Sequence, residues 1–218
     1  AGIIIGVVTK TGVGLKMGTA LLDLAGGQLL PAMFFTMVTS LILGMGVPTT
    51  ANYVITSTIA APALIQLGVP VLAAHMFAFY FGIIADVTPP VALAAYAGAG
   101  ISGGNPMKTG VIAAKLSIAA FLVPYVFVYN PQLLLINTTF AGVAFSTVTA
   151  IIGMVGISVA MIGYGVRPTN KIQRVLFFVA GLLLVDPGTL TDIIGGVMLV
   201  ALFGWQKMQN KSDAAKQA

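Results

Sequence analysis

The stretch GMGVPTTANY, Gly44 to Tyr53, decides the fold. It places two Gly, a Pro, two Thr and an Asn inside a run, Leu24 to Ala85, that holds no Asp, Glu, Lys or Arg. A water-soluble chain puts such a patch in a surface turn. Here the flanks are PAMFFTMVTSLILGMG, Pro31 to Gly46, and YVITSTIAAPALIQLG, Tyr53 to Gly68, both as apolar as a bilayer core. Two short apolar arms, Gln28 to Leu43 and Tyr53 to Leu67, around a Gly/Pro/Thr tip describe a re-entrant helical hairpin.

Composition supports that reading. Hydrophobic residues make up 58% of the chain, charged residues 7%, and the mean hydropathy is +1.04. Soluble domains carry about 25% charged residues. The expected class is an all-α polytopic membrane protein, with room in 218 residues for several spanning or re-entrant segments. The net charge of +5 comes from scattered Lys and Arg, which report membrane orientation rather than nucleic-acid binding. The chain has no Cys, which excludes disulfides, Cys-based metal sites and a thiol nucleophile. One His and no Glu exclude the HExxH zinc motif. No P-loop and no paired carboxylates occur, so no enzyme is expected. The opening AGIIIGVV, Ala1 to Val8, reads as the inside of a helix rather than a signal peptide. The chain is therefore expected to start partway through a larger protein.

Along the chain, residues 1–27 read as the end of a cut helix and an arm helix lying in the interface, with Lys10, Lys16 and Asp23 as its charges. The hairpin occupies 28–67. Residues 71–101 read as a membrane helix broken by DVTPP, Asp86 to Pro90, because a Pro pair inside an apolar run interrupts a helix. A span follows at 108–129, with a kink expected at Pro124. Residues 138–206 hold additional membrane helices. These are a span from Thr138 to Gly165, a basic loop VRPTNKIQR from Val166 to Arg174, and short helices Val175–Val185 and Ile193–Trp205 around DPGTLTD. Residues 207–218 read as a polar cytoplasmic tail. Placing the basic loop in the cytoplasm puts every Lys and Arg except Lys10 and Lys16 on that side, and makes the hairpin enter from outside.

Non-helical backbone at bilayer depth must be buried in protein or line a polar cavity, because lipid satisfies no peptide N–H or C=O group. The hairpin tip and the DVTPP break are two such places. Half-helix ends and freed carbonyls at these breaks bind ions. The oxygens of Thr49, Thr50, Asn52 and Thr88 suit a hard cation. Asp86 is the only acidic residue between Asp23 and Asp186. A carboxylate at depth costs roughly 2.5–3.5 kcal/mol on insertion scales. It reads as a cation ligand, a proton carrier or a cap for the half-helix after the break. His75 reads as a packed side chain rather than a proton relay. GAGISG, Gly98 to Gly103, matches GxGxxG but follows no strand, so it is no dinucleotide site.

The segment LGMGVPTTANYVITSTIAAPALIQLGVPVLAAHMFAFYFGIIADVTPPVALAAYAGAGISGGNPMKTGV, Leu43 to Val111, resembles the large membrane subunit of the tripartite ATP-independent periplasmic (TRAP) transporters, DctM-like. The similarity runs from Gly2 to Leu135, and its texture is that of the fused permeases that work with TAXI-type binding proteins. The resemblance implies an ion-transporter-type fold of two inverted repeats, each with a hairpin and a broken helix, and a transport domain that moves as an elevator. This chain would hold the C-terminal repeat, with its transport-domain part at 28–135, and would not transport without the other. Gly46, Pro48, Thr49, Thr50 and Asn52 would lie at the hairpin tip, and Thr88, Pro89 and Pro90 at the break, facing Na⁺ and substrate. The implied protein is a Na⁺-coupled or H⁺-coupled symporter of the bacterial or archaeal inner membrane. It would take up carboxylates and other organic anions delivered by a periplasmic binding protein. The competing reading is a non-transporting membrane scaffold with kinked helices.

Overall fold

The computed structural model describes residues 2–217, and among these every regular element is a helix. The chain divides into two compact units, Ala1–Leu134 and Leu135–Ala218.

In the first unit, α1 (Gly2–Thr11) and α2 (Val13–Leu24) are separated at Gly12, whose φ of 66 is left-handed. Gly14, Gly18, Leu21 and Ala25 share one buried face of α2, while Lys16 and Asp23 on the other are exposed. The small-residue pair Gly14/Gly18 therefore packs, with Gly18 against Ile59 and Pro62. Gly2 and Gly6 have no neighbour within 4 Å of a Cβ position.

The hairpin is α3 (Leu29–Gly44) followed by α4 (Thr49–Ile59) and α5 (Ala61–Gln66). Pro62 near the start of α5 accounts for the division of the second arm. The tip is tighter than the sequence suggests. Thr49 and Thr50 are not in the turn but open α4 immediately after Pro48, whose fixed φ suits the start of a helix.

The broken helix is α6 (Val71–Ile84), a 3₁₀ turn at Ala85–Val87, and α7 (Leu93–Ser102). At 1.5 Å per residue, neither half alone crosses a bilayer core of about 30 Å. One broad face of α6 is buried, and α3, α4, α5 and the later helix Ile118–Tyr129 all pack against it, which makes it the centre of the unit. Its Phe77 and Phe81 rings pack edge to face at 4.9 Å, and Tyr125 meets both at 5.2 and 5.9 Å. Tyr125 belongs to α9 (Ile118–Tyr129), which follows α8 (Pro106–Leu116). Its hydroxyl donates to Met37 Sδ at 3.4 Å, tying α9 to α3. The expected kink at Pro124 is not where the helix stops. Pro124 sits inside α9, and the interruption falls at Ser117, between α8 and α9. Together Pro106–Tyr129 is long and apolar enough to cross a membrane.

The second unit is a three-helix assembly of α10 (Phe140–Ile162), α11 (Lys171–Val185) and α12 (Thr189–Gln217). α11 packs closely on both neighbours, whereas α10 and α12 barely touch each other. Small residues permit the approach. A Cβ on Gly181 would lie 2.6 Å from the Gly153 carbonyl, and one on Gly195 would lie 2.8 Å from the Ala180 carbonyl. The last helix is not the short Ile193–Trp205 segment expected. It starts at Thr189, where the Asp192 N–H already bonds to the Gly188 carbonyl at 2.9 Å, and the Thr191 hydroxyl donates to the Asp186 and Gly188 carbonyls at 3.2 and 2.7 Å. Nor does it end at residue 206, because the helix runs into the segment read as a polar tail. The side chains beyond Gln209 lie outside the described residues.

Candidate functional site

The hairpin tip meets the broken helix at Gly82. α3 ends at Gly44, the chain turns through Met45 and Gly46, and Gly46 takes a φ of 70 that favours glycine. Gly44 is pressed onto the Gly82 backbone: a Cβ on Gly44 would lie 2.8 Å from Gly82 Cα. From the other arm, the Asn52 amide covers Gly82, and a Cβ there would lie 2.5 Å from Asn52 Oδ1. Asn52 is 2% exposed, and its Oδ1 has no hydrogen-bond partner. Buried polar oxygens are ordinarily paired, so an orphaned amide oxygen at this junction marks a place where a donor or a cation would be favourable.

The break lies just beyond Gly82, and α3 also packs against the 3₁₀ turn that carries Asp86. The Thr88 hydroxyl donates to the Ile84 carbonyl at 2.6 Å and its N–H to the Ala85 carbonyl at 3.2 Å, finishing α6. Ala92 N–H reaches back to the Thr88 carbonyl at 3.1 Å, and the Tyr96 hydroxyl donates to the Pro90 carbonyl at 3.0 Å. No described donor serves the carbonyls of Val87, Pro89 or Val91. Pro89 and Pro90 have no N–H to donate within this segment. Gly110 of α8 braces this segment from behind, because a Cβ there would lie 3.1 Å from the Tyr96 ring and 3.4 Å from Pro89.

Asp86 is half-buried and does not cap the second half-helix. The N-cap position of α7 is Ala92, with φ 37, and no side chain bonds to it. Of Asp86's three readings, the cap is thus the one that the geometry removes. Thr49 and Thr50 are exposed on the first turn of α4, Pro48 and Pro90 are exposed, and Thr88 and Pro89 are half-buried. Among the described residues no three His, Cys, Asp or Glu side chains gather. Any cation held here would rest on hydroxyl, amide and carbonyl oxygens with at most one carboxylate, which is the donor chemistry of hard cations.

Sequence reasoning took Gly44 only as part of the tip and passed over Gly82. The two form the contact on which the site rests, and nothing in a single sequence pairs them. It also passed over Thr36 and Ser40, fully buried on the same face of α3 as Gly44, with hydroxyl oxygens that have no partner. Their four-residue spacing up to Gly44 was the available signal. His75 is a packing residue: its Nδ1 lies 3.0 Å from the Tyr53 hydroxyl, linking α6 to α4. GISGG, Gly100 to Gly104, has the letters of a nucleophile elbow. It lies at the end of α7 rather than after a strand, and the Ser102 hydroxyl bonds back to Ala99 at 3.3 Å.

Among the described residues, a docked hairpin, a discontinuous helix and three helical segments long and apolar enough to cross a bilayer define an all-α polytopic membrane protein. The model of the DctM component of the tripartite ATP-independent periplasmic transporters matches residues 1–142, and the chain belongs to that family. It is accordingly a permease component of a TRAP transporter, a membrane protein of a system that also uses a periplasmic binding protein and a small membrane component. Comparison with curated proteins gives no match, and neither does comparison with solved structures.

Proposed function

We propose that this permease is a secondary-active symporter that couples uptake of organic anions, chiefly carboxylates, to Na⁺ moving down its gradient. The observation that carries the reading is the orphaned Oδ1 of Asn52 at the junction of hairpin tip and break. The unserved carbonyls of Val87, Pro89 and Val91 add oxygen donors on the adjoining segment. Na⁺ would supply positive charge beside the anion and the free energy of its gradient. Asn52, Asp86 and the break carbonyls would hold it, with Thr49, Thr50 and Thr88 as further oxygen donors. Gly46, Pro48, Pro89 and Pro90 would shape the two turns that face the substrate. The N-terminus of α4, which carries Thr49 and Thr50, presents free N–H groups that favour an anionic carboxylate. Delivery by a TAXI-type binding protein, partnership with an N-terminal half of the permease, elevator movement, and an inner-membrane location in a bacterium or archaeon complete the proposal.

The direct test is uptake by the intact transporter in proteoliposomes. Thr49→Val and Thr50→Val each remove an oxygen and keep the shape, so the Na⁺ concentration for half-maximal uptake should rise severalfold with little change in maximal rate. Unaltered Na⁺ dependence in both would take the tip threonines out of the site.

Sidedness has its own check. A lone cysteine at exposed Asn137 should react with a membrane-impermeant maleimide in intact cells. One at exposed Tyr164, beside the basic loop, should react only after permeabilisation. The opposite pattern would turn the hairpin to the cytoplasm.

A further inference from the structure

We propose that the second unit binds an anionic phospholipid, with an acyl chain along the groove between α10 and α12 and the phosphate at the groove's basic foot. The groove has a volume of about 420 Å³ and is walled by Ile152, Val155, Leu184, Gly196, Val200 and Phe203 among other apolar side chains. It exists because α10 and α12 each pack on α11 but hardly on each other. Gly196 opens its floor, with nothing within 4 Å of a Cβ position. Both walls are helices long enough to cross a bilayer, so the groove lies among acyl chains.

Gly196, Val200, Phe203 and Lys207 share one face of α12 by their spacing, so the apolar stripe ends on an exposed lysine. The loop at this end is pinned rather than loose. Gln206, fully buried, accepts from the Val166 N–H at 3.0 Å, and the loop closes on itself through Gly165 to Arg167 and Thr169 to Gly163. Arg174 is fixed beside it, donating to the Ala160 and Met161 carbonyls at 2.6 and 2.8 Å. Lys171 opens α11, whose N-terminus is ordered by the Asn170/Gln173 capping box and adds the positive end of a helix dipole. Gln206 Nε2 and Thr169 Oγ1 are buried here without partners. Asp186 and Asp192 stand at the other end of α11 and α12, while Asp213 follows Lys207 and Lys211 further along α12. Positive charge at the mouth of an all-apolar groove complements a phosphate carrying hydrocarbon, not a small soluble anion, which would have no use for the groove.

Trp205, the chain's single tryptophan, falls on the side of α12 away from the groove by its spacing from Gly196, so the reporter chain is Trp205→Phe/Phe203→Trp, which moves the indole onto the groove wall. The reporter chain is placed in phosphatidylcholine nanodiscs carrying a fixed minor fraction of brominated-chain lipid, either phosphatidylglycerol or phosphatidylcholine. Brominated phosphatidylglycerol should quench the reporter well above brominated phosphatidylcholine. In Lys171→Gln/Lys207→Gln the preference should fall by roughly 30-fold at low ionic strength. Gly196→Leu, which fills the groove floor and keeps every charge, should also reduce phosphatidylglycerol quenching. Equal quenching by the two lipids in the reporter chain overturns the proposal, and so does a preference that survives the double lysine substitution. Abolition of the preference by inorganic phosphate, but not by chloride at equal ionic strength, would assign the foot to a free anion and overturn the lipid.

Discussion

Gly44→Ala should abolish uptake and lower the melting temperature of the permease. The added methyl has no space, because the atoms it meets are the carbonyl, Cα and C of Gly82, which are backbone inside a packed helix. Side chains can rotate away from an intruding methyl, but a helix backbone moves only as a body. Overpacking a filled interior costs about 1–3 kcal/mol in ordinary cases, and a backbone-to-backbone clash belongs at or above the top of that range. The consequence for function should be larger than for stability, since the proposed cation site exists only where the tip seats on α6 beside the break. Gly82→Ala makes the useful contrast. Its methyl meets the Asn52 amide at 2.5 and 2.8 Å, a side chain that can turn aside. It should fold nearly normally and yet need more Na⁺. Thermal melting followed by uptake at varied Na⁺ separates the two. If Gly44→Ala melts and transports like the parent, the docking of tip on break is not what the mechanism uses.

Asp86→Asn should give the next largest effect, and its pattern identifies the coupling ion. Asparagine keeps an oxygen but removes the charge beside the break. If Asp86 supports Na⁺, the Na⁺ concentration for half-maximal uptake rises by tenfold or more, on the scale of about 1.5–3 kcal/mol for interactions of charged groups. The pH profile then keeps its shape. If Asp86 carries a proton, uptake driven by a pH gradient disappears and the profile flattens, while Na⁺ has no part. Na⁺ and pH gradients varied independently in proteoliposomes distinguish the outcomes. Wild-type uptake under every gradient would remove Asp86 from coupling altogether. A capping role would not then explain it, since α7 begins at Leu93 without a side-chain cap.

The parts of this architecture that are local were readable in the sequence. Gly46, Pro48 and the Pro89–Pro90 pair interrupt helices by their own covalent geometry, so the tip and the break announce themselves. Pro124 shows the limit of the same rule. It lies inside α9, while the helix is interrupted at Ser117, which carries no breaker signature. The extent of α12 was hidden because DPGTLTD reads as loop, although its second half, from Thr189, is the first turn of a helix. The site itself was half legible. Asn52 and Asp86 stand out as polar groups in an apolar run. Their setting does not, because the approach of Gly44 and Asn52 to Gly82 joins residues distant along the chain, and no periodicity encodes it. Whether a buried oxygen such as Asn52 Oδ1 or Ser40 Oγ finds a partner is likewise decided only by packing.

The central claim is that Na⁺ binds where the hairpin tip docks on the break. Its most direct test is the melting temperature of the purified intact permease as K⁺ is replaced by Na⁺ at constant ionic strength. A ligand that binds only the folded state stabilises it by about 2.7 kcal/mol at a hundred times its dissociation constant. The melting temperature should therefore climb with Na⁺ and saturate. Asn52→Leu should melt like the parent in K⁺ and lose the Na⁺-dependent rise. Identical melting in Na⁺ and K⁺, or a full Na⁺ response in Asn52→Leu, would contradict the account.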